Sequence, residues 1–179
     1  MTKQLTEATD DFNVTWHSQD SSLREQALGH IFLGELLAAM WRANRRDVEV
    51  LKSEVDRGGY DLVLESNGLV RHVQLKSSFR GSKVRYVNVG TRLLGKPGGC
   101  VIWFELDPDS LEIERYLWLG GEPGQGLPDL GSRVARHTRA NAIGKKTERP
   151  LHREVAKSKF QPVDSIDRLI DCLFGSMAS

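Results

Sequence analysis

The sequence predicts an α/β (α+β) domain built on a mixed five-stranded sheet flanked by helices. Three observations predict it. A long apolar helix comes early, an Asn-Gly turn joins two alternating runs, and CVIWFEL at 100–106 reads as a central strand. The expected order is helix, three strands in a meander, helix, two strands and a helical C-terminal tail.

Residues 1–20 are polar and aperiodic and read as an N-terminal arm. Ser22-Leu23-Arg24-Glu25 fits a capping box, with Ser22 at the N-cap and Glu25 at N3. The helix should run to about Asn44, and its second half, IFLGELLAAMW, is apolar almost all round and so is expected to be buried. DVEVLKSEV at 47–55 alternates and reads as a strand, closed by the Asp56-Arg57-Gly58-Gly59 turn. YDLVLES, 60–66, and LVRHVQLKS, 69–77, flank Asn67-Gly68 as a hairpin. Val84 to Gly95 is expected to begin extended and become a short helix, which Lys96-Pro97-Gly98-Gly99 ends. IERYLWLG, 113–120, is the last predicted strand before a Gly/Pro-rich loop at 120–131. The basic, mixed segment 133–159 follows, then an amphipathic helix over 164–174 with Asp164 as its N-cap.

A chain of 179 residues suits one domain with a real core, here residues 21–179. Formal net charge is +1, so the total points to no polyanionic partner; the local distribution says more. Cys100 and Cys172 form no CxxC pair, which supports neither a disulfide framework nor a zinc knuckle and reads as two buried thiols in a reducing compartment. The polar N-terminus carries no secretory signal, and the apolar stretch 31–41 is too short to span a bilayer. A cytoplasmic protein without membrane contact is expected.

The two-residue turn fixes the hairpin register. Ser66 faces Leu69, Glu65 faces Val70, Leu64 faces Arg71, Val63 faces His72 and Leu62 faces Val73, so Asp61 faces Gln74. Directly opposed residues share a face, and Lys76, two beyond Gln74, shares it too. Leu62, Leu64, Val73 and Leu75 point the other way as an apolar set. A carboxylate, an amide and an ammonium are therefore gathered at the end far from the turn. Asp61 and Gln74 could hold a hard cation through oxygen, with the Leu75 carbonyl beside them, and Lys76 could orient water or offset phosphoryl charge. An Asp–Lys pair across strands is also an ordinary surface contact that contributes little.

Gly59-Tyr60-Asp61 and Gln74-Leu75-Lys76, in this order after a glutamate-bearing helix, resemble the PD-(D/E)XK, restriction-endonuclease-like nuclease superfamily over residues 22–106. The middle acid of that pattern is glutamine here, a QxK variant that removes one negative charge. The resemblance implies a restriction-endonuclease-like core and a metal-dependent nuclease that hydrolyses phosphodiester bonds, above all a DNA endonuclease. It implies Mg²⁺, with Mn²⁺ able to substitute, held by Asp61, Gln74 and Leu75. Catalysis would fall to Asp61, Gln74, Lys76 and a helix glutamate, for which Glu35 is the candidate. A homodimer is also implied, since two strands need two sites.

The segment 133–159 holds nine Lys and Arg against two Glu, in a chain that is nearly neutral overall. Arg133, Arg136, Arg139, Lys145, Lys146 and Arg149 are the expected backbone contacts, with Ser78 beside the trio. A solvated charged face is the plain alternative. His137 and His152 lack metal-site spacing, and GGEPGQG lacks the Lys-Ser/Thr of a phosphate-cradling loop. The rival to a nuclease is a nuclease-like fold that binds nucleic acid or protein without cleaving.

Overall fold

The computed structural model describes residues 21–176 apart from 54, 56, 138–143 and 145, so the arm at 1–20 lies outside the described residues. Two compact units divide the chain, Met1–Glu35 and Leu36–Ser179. Helix α1 (Ser21–Arg42) runs across that boundary. Ser22 lies inside its first turn, not at the N-cap, a shift within the usual scatter of helix ends. The helix closes on a Schellman motif: Arg45 N–H reaches Met40 O at 2.8 Å and Asn44 N–H reaches Trp41 O at 3.1 Å. Asn44 takes φ 58°, the left-handed conformation this stop requires. The second half of α1 is not buried all round as expected. Leu36, Ala39 and Met40 are buried, whereas Leu37 and Trp41 are exposed. Trp41 instead lies under the Arg46 guanidinium, 4.4 Å from its ring centre.

The strands are β1 (Glu49–Lys52), β2 (Leu62–Ser66), β3 (Leu69–Phe79), β4 (Tyr86–Gly90), β5 (Cys100–Leu106), β6 (Ile113–Gly120), β7 (Val134–Arg136), β8 (Glu148–Ala156) and β9 (Gln161–Val163). The expected α+β architecture with a mixed sheet is present, but with six strands, in the order β1-β2-β3-β5-β6-β9. Among the described residues, only the β3–β5 pair of that sheet is parallel. The sixth strand, β9, lies between the basic segment and the predicted C-terminal helix, where no strand was expected; a separate sheet, β4-β8-β7, joins the stretch expected to begin extended to two strands of the basic segment. A 3-10 turn, Thr91–Gly95, follows β4 where a short helix was expected. The C-terminal helix α2 (Ile166–Phe174) is capped by Ser165 rather than Asp164; the Ser165 hydroxyl accepts from Arg168 N–H at 3.2 Å.

Asn67 and Gly68 take φ 52° and 73°, as a type I′ turn demands. The predicted register follows through Leu62↔Val73. Across the parallel pair, Gln74 aligns with Val101 and Lys76 with Trp103. That face carries Val101, Trp103, Leu117 and Leu119 into a core with Val87, Val89, Leu93, Val155 and Phe160, so the small sheet covers it.

The opposite face is not the clean apolar set that Leu62, Leu64, Val73 and Leu75 suggested. Arg71 stands among them, fully buried. Its guanidinium donates to Leu173 O at 2.7 Å, Cys172 O at 2.9 Å, Gly121 O at 3.1 Å and Gln125 O at 3.3 Å. It also lies 5.5 Å from the Trp118 ring centre. A cation is thus placed against the carbonyl end of α2, where the helix dipole is negative. Arg45 adds a second guanidinium bond, to Gly175 O, just past that end. Both cysteines are free thiols, Cys100 buried and Cys172 half-buried. Burial pushes the Cys100 thiol up to about 12.

Asp47 ties the segment after α1 to the hairpin turn. Its carboxylate accepts from Asn67 N–H and from the Ser66 hydroxyl. The Asn67 bond, ahead of the Ser66 bond and the Arg45 charge, lowers its pKa from the ordinary value.

Two predictions follow from these contacts. Replacing Arg71 with Leu leaves buried carbonyls without donors and should lower stability by about 2–4 kcal/mol. Urea unfolding measures it, and an unchanged midpoint would refute the lock on α2. Asp47, with a depressed folded pKa, stabilises above its unfolded value of about 3.9, and that stabilisation is lost as pH falls through the folded pKa. Thermal melts of Asp47→Asn should therefore fall less steeply than wild type below about pH 4; parallel acid limbs would count against the contact.

Candidate metal and nucleic-acid site

Asp61 sits one residue before β2, and the ladder changes character there. In a regular strand a residue's N–H and C=O point to the same neighbour. At Asp61 they do not. Its N–H donates to Val73 O at 2.8 Å, toward β3, while its carbonyl accepts from Ser53 N–H at 3.2 Å, beside β1. The regular opposition to Gln74 expected from the register thus gives way to a bulge-like kink. The kink turns the side chain along β3, where the carboxylate accepts Leu75 N–H at 2.6 Å. Asp61 remains exposed, Gln74 is buried and Lys76 is half-buried.

Glycines bring the flanking backbone close. Gly59 takes φ 72° and packs against β4; a Cβ built on Gly90 would lie 3.4 Å from Gly59 Cα and 3.9 Å from Gln74 Nε2. Gly90 N–H donates to Gln74 Oε1 at 3.3 Å. Gly58 leaves the space that the Tyr60 ring fills, since a Cβ there would fall 2.1 Å from a ring carbon. Arg92 Nη1 donates to Arg57 O at 2.9 Å and holds the same loop from the 3-10 turn. The GYD motif is thus a backbone crossing as well as a carboxylate. A glycine inside the run YVNVG was the available sequence signal, since glycine in a strand marks close backbone approach.

His72 lies on the trio's side, with Nδ1 2.7 Å from Pro97 O and its ring edge-on to Tyr60 at 4.8 Å. Ser78 shares that side, and its hydroxyl accepts from Trp103 Nε1 at 2.9 Å. Glu35 is half-buried on α1, in the unit that does not hold the trio. Among the expected phosphate contacts, Arg139 and Lys145 lie outside the described residues. Arg133 is paired with Glu154 and lies 5.3 Å from the Tyr86 ring centre. Arg136 is 3.8 Å from Glu148. Arg149 contacts His152 Nε2 at 3.1 Å, and Lys146 is exposed. The two glutamates of the segment therefore offset two of its arginines.

The donor atoms fit a hard divalent cation. Asp61, Gln74 and the Leu75 carbonyl offer only oxygen. The Gln74 amide oxygen keeps acceptor capacity beyond its bond from Gly90 N–H. Among the described residues no group of three or more His, Cys, Asp or Glu could hold a metal, so Asp61 would supply the formal charge.

No family model and no curated protein matches the sequence. Among solved structures, the chain is similar to a bacterial homing endonuclease, I-Ssp6803I, at 24% identity, covering 63% of this chain and 80% of that one with a TM-score of 0.26. No helix among the described residues is long and apolar enough to cross a membrane.

The crossing makes a test. Gly59→Ala forces a side chain into the left-handed region and should cost about 1–2 kcal/mol. Calorimetry should show a lowered Tm; an unchanged Tm would mean that this φ is not required.

Proposed function

We propose that the chain is a metal-dependent nuclease that hydrolyses phosphodiester bonds of nucleic acid, with DNA as substrate. The observation that carries this reading is the Asp61 carboxylate turned onto β3 at Leu75, between Gln74 and Lys76. Asp61, Gln74 and the Leu75 carbonyl would hold Mg²⁺ or Mn²⁺. Such an ion supplies Lewis-acid charge to a phosphoryl oxygen. Lys76 orients the attacking water and offsets negative charge that develops on the phosphoryl group. Water forms the new bond to phosphorus as the ester P–O bond breaks, so no covalent enzyme intermediate arises. The free thiols fit a reducing, cytoplasmic setting.

One observation favours a second reading, a binding module that does not cleave. Asp61 is the only formally charged oxygen donor in the proposed ligand set, so metal would be held weakly. The two readings separate in one experiment. With Mg²⁺ or Mn²⁺ the protein should nick plasmid DNA, and Lys76→Ala should slow nicking by about 10²-fold or more. Calorimetric Mn²⁺ binding should disappear in Asp61→Ala. Salt-sensitive DNA binding with wild type and Lys76→Ala equally inert supports the module instead.

A further inference from the structure

The basic segment 133–159 holds the most positive charge in the sequence, yet two of its arginines face glutamates. A different pair of cations lies against the loop that leads to Asp61. The 3-10 turn Thr91–Gly95 carries exposed Arg92, and half-buried Lys96 follows it directly. No carboxylate among the described residues forms an ion pair with Arg92 or Lys96.

Both are held in place. The Arg92 guanidinium donates to Arg57 O in the loop that leads to Asp61. Lys96 Nζ lies 5.3 Å from the centre of the Tyr60 ring, next to Asp61 in sequence. That ring is fixed by the space at Gly58 and by the His72 edge. The Lys96 backbone is tied on both sides: Lys96 N–H donates to Leu93 O at 3.1 Å, and Gly99 N–H donates to Lys96 O at 3.1 Å. His72 pins the next residue through Pro97 O. The Gly59–Gly90 crossing fixes the start of the turn to the Asp61 loop. A cation held over an aromatic face loses less side-chain freedom when a phosphate arrives.

We propose that Arg92 and Lys96 form a backbone-phosphate subsite for nucleic acid, taking the phosphates that flank the one placed at Asp61. The inference rests on the nuclease reading and deepens it: the strand crosses the 3-10 turn beside the Asp61 loop. Arg92 meets the phosphate through its planar fork and Lys96 as a point charge. Neither contacts the reacting atoms; both position the strand.

The test is DNA binding by the full chain in EDTA, where nothing is cleaved, read by fluorescence anisotropy of a labelled duplex across salt concentrations. Losing two phosphate contacts should reduce the slope of log affinity against log salt by about 1.8 in Arg92→Gln/Lys96→Gln. Lys96→Met keeps the stem on Tyr60 and drops the charge, so alone it should reduce the slope by about 0.9, and Lys96→Arg should restore it. Arg133→Gln/Arg136→Gln, whose charges are already paired, should change the slope less than the Arg92/Lys96 pair does. An unchanged slope in Lys96→Met and in the folded double variant, with wild type binding tightly, overturns the subsite and leaves the nuclease reading standing. Wild type that shows no salt-dependent binding overturns both.

Discussion

Asn67 and Gly68, both at positive φ, join β2 and β3 in one register, and the two faces of β3 follow from it. A slip of one residue would exchange those faces. Arg71 would leave the carbonyls of α2, and Gln74 would leave Gly90. Asp47 reinforces the register from outside by accepting the Asn67 N–H. A short turn, two glycine-permitted torsions and one carboxylate thus set where a buried cation and a candidate site can stand on a single strand.

The same alternation explains what the sequence concealed. Counting apolar residues on β2 and β3 identifies the buried face, but Arg71 breaks the count while occupying a fully buried position. Burial of a guanidinium requires that its donors be met. Those partners come from Gly121 and Gln125, and from Cys172 and Leu173, 101 and 102 residues along the chain. Local pattern carries no information about carbonyls so distant in sequence. The strands β7, β8 and β9 were hidden for a related reason. Charged residues on β8 obscure the period-two pattern, because only part of that strand, such as Val155, is buried against the core.

At the site, the sequence made legible which residues share a face but not how the backbone delivers them. Alternation places Gln74 and Lys76 on one side, and β3 keeps them there. Asp61 required more, because a kink that splits its N–H and C=O between two neighbours lies outside any period-two rule. Composition counts the nine basic residues and two glutamates of one segment but not their pairing: Glu154 and Glu148 sit across from Arg133 and Arg136. Arg92 on the 3-10 turn and Lys96 just after it are sparse in sequence, yet both reach the loop that leads to Asp61.

Glutamine at position 74 follows from where β3 puts it. The side chain is buried, aligned with Val101 on a face whose neighbours are largely apolar. It must accept the Gly90 N–H. A glutamate could accept that bond too, but burial would desolvate its charge and push the carboxyl toward its neutral form. An amide meets the Gly90 N–H with no charge to desolvate. An amide, which would hold a metal less tightly than a carboxylate, is therefore the group that this strand can bury at position 74. The formal charge then rests on Asp61, which stays exposed because the kink keeps it at the rim of the sheet.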